Sequence, residues 1–126
     1  MSNLAVLRPV EMIFVNPERV MQLARDCGVA RAEFIAHAAL EEIAERLTAA
    51  EAAWSAGEFG RLAKVARSLI GVSDQIGMET LGDTARNVAQ DALRADDIAL
   101  AAIVARMIRV GEGSLAAMGE LGHLRI

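Results

Sequence analysis

Residues 67–77, RSLIGVSDQIG, set two glycines into an apolar stretch that otherwise reads as helix. Each glycine costs a helix interior roughly 1 kcal/mol relative to alanine, so the stretch must be shaped for something. Upstream of it and through it, Leu62, Val65, Leu69, Val72 and Ile76 recur at three- and four-residue spacing. That is the apolar seam of a helix starting near Glu58 and ending at Gly77. Arg67, Ile70 and their neighbours offer no nucleophile and no acid–base pair.

The same periodicity extends in both directions. Upstream, Ala36, Leu40, Ile43, Leu47, Ala50 and Trp54 make one stripe of a helix over about 30–56, roughly 40 Å long, stopped by Gly57. Before it, NPERV offers Asn16 as a cap, Pro17 at the first helical position and Glu18 at the positive end of the dipole. This short helix runs to Cys27, with Gly28 as its stop. Phe34 and Ile35 lie off the long helix's stripe and are placed to receive it. Downstream, Leu81, Ala85, Val88 and Ala92 share a face, and RADD (94–97) is a tight link in which Asp96 caps the next helix. That helix carries Ile103, Met107, Val110, Leu115 and Met118, with Gly111 and Gly113 weakening its later half. The pattern predicts an all-α fold: an up-down-up-down four-helix bundle with a short extra N-terminal helix. Residues 1–15 form an arm, in which EMIFV is an extended segment or an apolar strap; 16–120 form the bundle and 121–126 a frayed tail.

Composition agrees. The chain has 126 residues, 54% of them hydrophobic, with two prolines and no tyrosine. Alanine is the best helix former, and no proline after Pro17 bars a helix. The length fits one domain. A formal net charge of −4 argues against a nucleic-acid surface, and 3% aromatics against a base-stacking platform. IALAAIVA (98–105) is too short to span a bilayer, and Arg8 and Glu11 interrupt the N-terminal apolar stretch, which suits a signal peptide poorly. The single cysteine, Cys27, permits no disulfide within the chain, and no metal-ligand spacing is present. The expectation is a cytoplasmic protein with no cofactor, no metal and no membrane or nucleic-acid partner.

On this frame residues 16–118 resemble a histidine-containing phosphotransfer (HPt) domain. The family pattern is roughly H-x-L-K-G with a further Gly ten residues after the His; here it reads Arg67-Ser68-Leu69-Ile70-Gly71, then Gly77. NPERVMQL resembles the family's short first helix, AAWSAGEFGRLAKVARSLIG its lead into the active helix, and Met78 to Leu81 the opening of the helix that follows. Two departures matter. Arg67 stands where the family has its phosphoaccepting His, and Ile70 where it usually has Lys. A phosphorelay His presents a neutral imidazole nitrogen, which a pKa of about 6.5 allows. A guanidinium stays protonated and has no lone pair to attack an acyl phosphate. The resemblance therefore implies a degenerate member without phosphotransfer at this position, and so no catalytic residue. What it retains is a docking surface for a response-regulator receiver domain or a histidine kinase. Lys64, Arg67, Ile70, Gly71 and Asp74 are the candidate contact residues. Gly71 would keep the stripe low and Ile70 would be an exposed apolar knob. Arg67 would enter the acidic, Mg²⁺-binding pocket that receivers carry and pair with its carboxylates, bidentately where geometry allows.

Each residue also has a plainer reading. Arg67 fits a solvated helix arginine paired with Asp74, and Ile70 a flank residue covered by another helix. Gly77 fits a C-cap alone, which leaves Gly71 the more informative glycine. His37 is the alternative phosphoacceptor, although AALEE follows it with no basic residue or polar cradle, and a half-buried structural histidine is the simpler reading. Cys27 reads as a small buried hydrophobe, His123 as inert, and Glu41, Glu42 and Glu45 as a solvated face with Glu42–Arg46 as an i,i+4 pair. A structural or dimerisation bundle is the remaining alternative. The sequence leaves the cognate partner and the oligomeric state open.

Overall fold

The structure, a computed structural model, describes residues 11–94 and 96–121. Among them are five helices and no strand: α1 (Glu18–Cys27), α2 (Val29–Ser55), α3 (Phe59–Gln75), α4 (Glu79–Asp91) and α5 (Asp97–Leu121). The 122–126 part of the expected tail, and His123 with it, lies outside the described residues, as does the 1–10 part of the arm. No described helix is long and apolar enough to cross a membrane.

Three of the four breaks between helices fall where the sequence puts glycine. Gly28, Gly57 and Gly77 have φ of +89°, +71° and +80°, values that L side chains rarely adopt. At Gly57 and Gly77 the chain closes the helix with paired backbone bonds. Glu58 N–H donates to Ala53 O and Gly57 N–H to Trp54 O; Met78 N–H donates to Ser73 O and Gly77 N–H to Asp74 O. Both are Schellman motifs, which satisfy carbonyls the helix end would leave unpaired. At the other ends, Asn16 Oδ1 accepts from Glu18 N–H at 3.0 Å and Asp96 Oδ1 from Ala99 N–H at 2.8 Å, so both expected caps form.

α1 packs on α2, α2 on α3, α3 on α4 and α4 on α5, and α5 returns to α2. The core between them holds Ile43, Leu62, Leu69, Leu81, Leu100 and Met107, all fully buried, with Val20 joining from α1. Burial of each such side chain stabilises by about 1.5–3 kcal/mol relative to exposure. The expected faces hold: Leu81, Ala85, Val88 and Ala92 are all buried, and Leu62, Leu69 and Ile76 line the α3 seam. Gly111 and Gly113 do not interrupt α5, which continues to Leu121. A Cβ on Gly111 would lie 2.5 Å from Leu47 Cδ1, and one on Gly113 would overlap Ile13. Both glycines let another segment approach α5 closely.

Residues 11–16 are a strap without regular secondary structure. Phe14 N–H donates to Thr80 Oγ1 at 2.7 Å, Asn16 N–H to Gly77 O at 2.7 Å and Asn16 Nδ2 to Glu79 Oε2 at 3.1 Å. Ile13 and Val15 pack on the core while Met12 and Phe14 are exposed. Glu11 ends the described strap against Arg106 at 2.9 Å and Arg109 at 3.5 Å. The Arg106 hydrogen bond, outweighing partial burial, holds the Glu11 carboxyl below the usual carboxylate range, and both guanidinium charges add to it. The strap explains Gly77 better than capping alone. A Cβ there would overlap the Asn16 carbonyl oxygen, so the residue must be glycine for contact as well as for φ.

Candidate functional site

The site builds up from one face of α3. Lys64, Arg67, Gly71 and Asp74 follow at three- and four-residue steps and so share a stripe. Lys64, Arg67 and Gly71 are exposed and Asp74 is half-buried. Among the described residues neither Lys64 nor Arg67 has a carboxylate within 4.0 Å. The plainer reading of Arg67, a pair with Asp74, is not what forms. Asp74 instead accepts from Arg86 of α4 at 2.6 Å, and Arg86 also reaches Asp83 at 3.4 Å. These groups, with Arg19, Gly77 and Glu79, line a polar hollow of about 290 Å³. Asp74 is thus committed to holding α3 against α4.

Ile70 is not the exposed knob but fits its plainer reading as a flank residue: it is half-buried and packed against the core. The cause is its phase. It lies four residues after buried Ala66 and three before buried Ser73, on the margin of the seam rather than on the Arg67 stripe. Gly71 keeps its expected place. Nothing lies within 4 Å of where its Cβ would be, so no described neighbour requires a glycine there.

One contact was not foreseen. Arg46 of α2 donates through Nε to Ser68 Oγ, in the middle of RSLIG. Its Nη1 reaches Glu42 O at 3.3 Å and Glu42 Oε2 at 3.7 Å, so the expected i,i+4 pair also forms. Arg46 therefore ties α2 to α3 beside Arg67. Its sequence signal was only a basic residue on the flank of the α2 stripe.

His37 is exposed on α2 rather than half-buried. It precedes Arg46 by nine residues, which at 1.5 Å per residue is about 13 Å along the axis, so it does not converge with the α3 stripe. Cys27 is exposed, not buried, and its thiol donates to Leu23 O at 3.0 Å. It ends α1, whose main helix neighbour is α2. Glu41, Glu42 and Glu45 are exposed, as a solvated face should be. Among the described residues no three His, Cys, Asp or Glu side chains are placed to hold a metal ion. No family model, no curated protein and no solved structure matches this chain.

Proposed function

We propose that α2–α5 form an up-down-up-down four-helix bundle of the HPt kind, with α1 over one end, and that it binds a receiver domain or a histidine kinase without carrying phosphate on α3. The neighbour order α2–α3–α4–α5–α2 and the short links support the bundle. The observation that carries the binding reading is Arg67: a cation at mid-helix, exposed, without a carboxylate partner among the described residues, beside Lys64 and one turn from an open glycine. A guanidinium fork suits a partner's carboxylates and cannot act as a phosphoryl acceptor. On this reading the protein occupies a signalling partner's acidic pocket and passes nothing on.

The test is calorimetric titration of the protein against purified receiver domains and kinase domains, in parallel with incubation against phosphorylated receivers. The expected result is binding that weakens at least about tenfold in Arg67→Ala, the loss of a charge-assisted bond, with no label on the wild-type chain. Binding indifferent to Arg67→Ala, or phosphoryl label on this chain, overturns the reading. Label that vanishes in His37→Ala would move the chemistry to α2.

A further inference from the structure

One face of α2 carries Ala32, Ala39, Ile43 and Leu47 into the core. The face turned away from them carries Arg31, Phe34, Ala38 and Glu41, at steps of three and four residues, and all four are exposed. Phe34, expected to receive α1, is instead 65% exposed. The Arg31 guanidinium sits over its ring, 5.5 Å from the centroid, so the two side chains hold each other in place by a cation–π contact. Among the described residues neither Arg31 nor Glu41 has an oppositely charged side chain within 4.0 Å. An ordered aromatic ring with an arginine stacked on it is the combination that anchors protein interfaces.

The four positions are complementary to themselves. Arg31 and Glu41 are equally far from Ala36 along the helix, and so are Phe34 and Ala38. A second α2 laid antiparallel, with a twofold axis at the level of Ala36, therefore sets Arg31 against Glu41 and Phe34 against Ala38, each pair occurring twice. A large ring then meets a small methyl group, and each free charge meets its opposite. A parallel arrangement would set Arg31 on Arg31 and Glu41 on Glu41, so charge selects both the direction and the register. Glu45, the next exposed position of the stripe, comes on this register to the start of the other copy's α2, a helix end with no side-chain cap and no acidic residue in its first turn.

We propose that the chain forms a twofold homodimer through this face of α2, with Arg31 paired to Glu41 of the second copy and Phe34 seated on its Ala38. The contact uses no residue of the α3 stripe. It runs along about 15 Å of helix. That is less than a standard interface of about 1,600 Å² provides, so the dimer belongs to the weak class, with a dissociation constant on the order of 10–100 µM.

Sedimentation velocity on the full chain from about 5 to 500 µM tests this, with far-UV circular dichroism as the check on folding. The mass should rise with concentration from that of one chain towards that of two. Arg31→Glu and Glu41→Arg should each weaken association at least about tenfold, because either one alone brings like charges together at both pairs. An equimolar mixture of the two variants should associate as the wild type does, because each copy then offers the charges the other lacks. Phe34→Ala should also weaken association about tenfold. Should a charge variant lose helix, salt reads the same pairs in the wild type: association should weaken several-fold between about 50 and 500 mM. A single-chain mass at every concentration overturns the proposal. So does association that the substitutions or salt leave unchanged, or a mixture that stays as weak as its components.

Discussion

Replacing three glycines one at a time by alanine separates three physical effects that the sequence alone runs together. Gly57 and Gly77 have nearly the same φ, +71° and +80°, so each pays about 1–2 kcal/mol for a Cβ in the left-handed region, less about 0.4–1 kcal/mol for a stiffer unfolded chain. At Gly57 nothing lies within 4 Å of the new Cβ, so Gly57→Ala should cost about 0.5–1 kcal/mol. At Gly77 the Cβ overlaps the Asn16 carbonyl, so the strap must also lift. That forfeits the Asn16 N–H to Gly77 O bond, about 1 kcal/mol, and loosens Ile13 and Val15. Gly77→Ala should therefore cost about 2–3 kcal/mol. Gly71 has ordinary helical φ and open space, so Gly71→Ala should stabilise by about 0.5–1 kcal/mol. Urea unfolding followed by circular dichroism gives all three values at constant m. Equal costs at Gly57 and Gly77 would refute the strap contact, and a loss at Gly71 would mean that its surface is already occupied.

Glu11→Gln should lower the urea midpoint at neutral pH and flatten its acid limb. With its folded pKa depressed by Arg106 and Arg109, Glu11 contributes fully above the ordinary glutamate value of about 4.3, and loses that contribution as pH falls through the folded value. A midpoint series from pH 3 to neutral checks the sign. Ser73→Ala should stabilise by about 1 kcal/mol, because the Ser73 hydroxyl is buried with no partner among the described residues. Gly111→Ala should cost about 1–3 kcal/mol by driving into Leu47, and its cost should shrink in a Leu47→Ala background, measured as a double-mutant cycle. Gly71→Ala, though stabilising, should weaken capture of a receiver or kinase, which titration against the same partner would read.

The helices were legible because their signal is local. Leu81, Ala85, Val88 and Ala92 share a face by spacing alone, and Gly28, Gly57 and Gly77 punctuate the chain because only glycine is at ease at those φ values. What stayed hidden depends on how helices sit against each other. Arg46 meets Ser68, and Asp74 meets Arg86, through the axial offset and rotation of neighbouring helices, which no single-helix pattern contains. Ile70 takes the flank position of its plainer reading rather than the exposed knob, and Cys27 is exposed at the end of α1 rather than buried. Gly77 was read as a cap because the segment that presses on it is Asn16, sixty-one positions away in the chain.

The α3 stripe gathers choices that folding alone does not favour. Lys64 and Arg67 are like charges at i,i+3, a repulsion of a few tenths of a kcal/mol that no described carboxylate relieves. Gly71, one turn on, gives up a further ~1 kcal/mol of helix stability and no described residue fills the space it leaves. Gly77 meets Asn16, Gly111 meets Leu47 and Gly113 meets Ile13, whereas Gly60 and Gly119 stand as open as Gly71. Six arginines elsewhere, among them Arg86 and Arg106, have carboxylate partners in a chain of net charge −4. Acidic side chains were therefore plentiful, yet none of those described pairs with Lys64 or Arg67, and Asp74 on the same stripe is taken by Arg86. A low, cationic, uncompensated strip at mid-helix is the arrangement expected where the compensating charge is brought by another molecule.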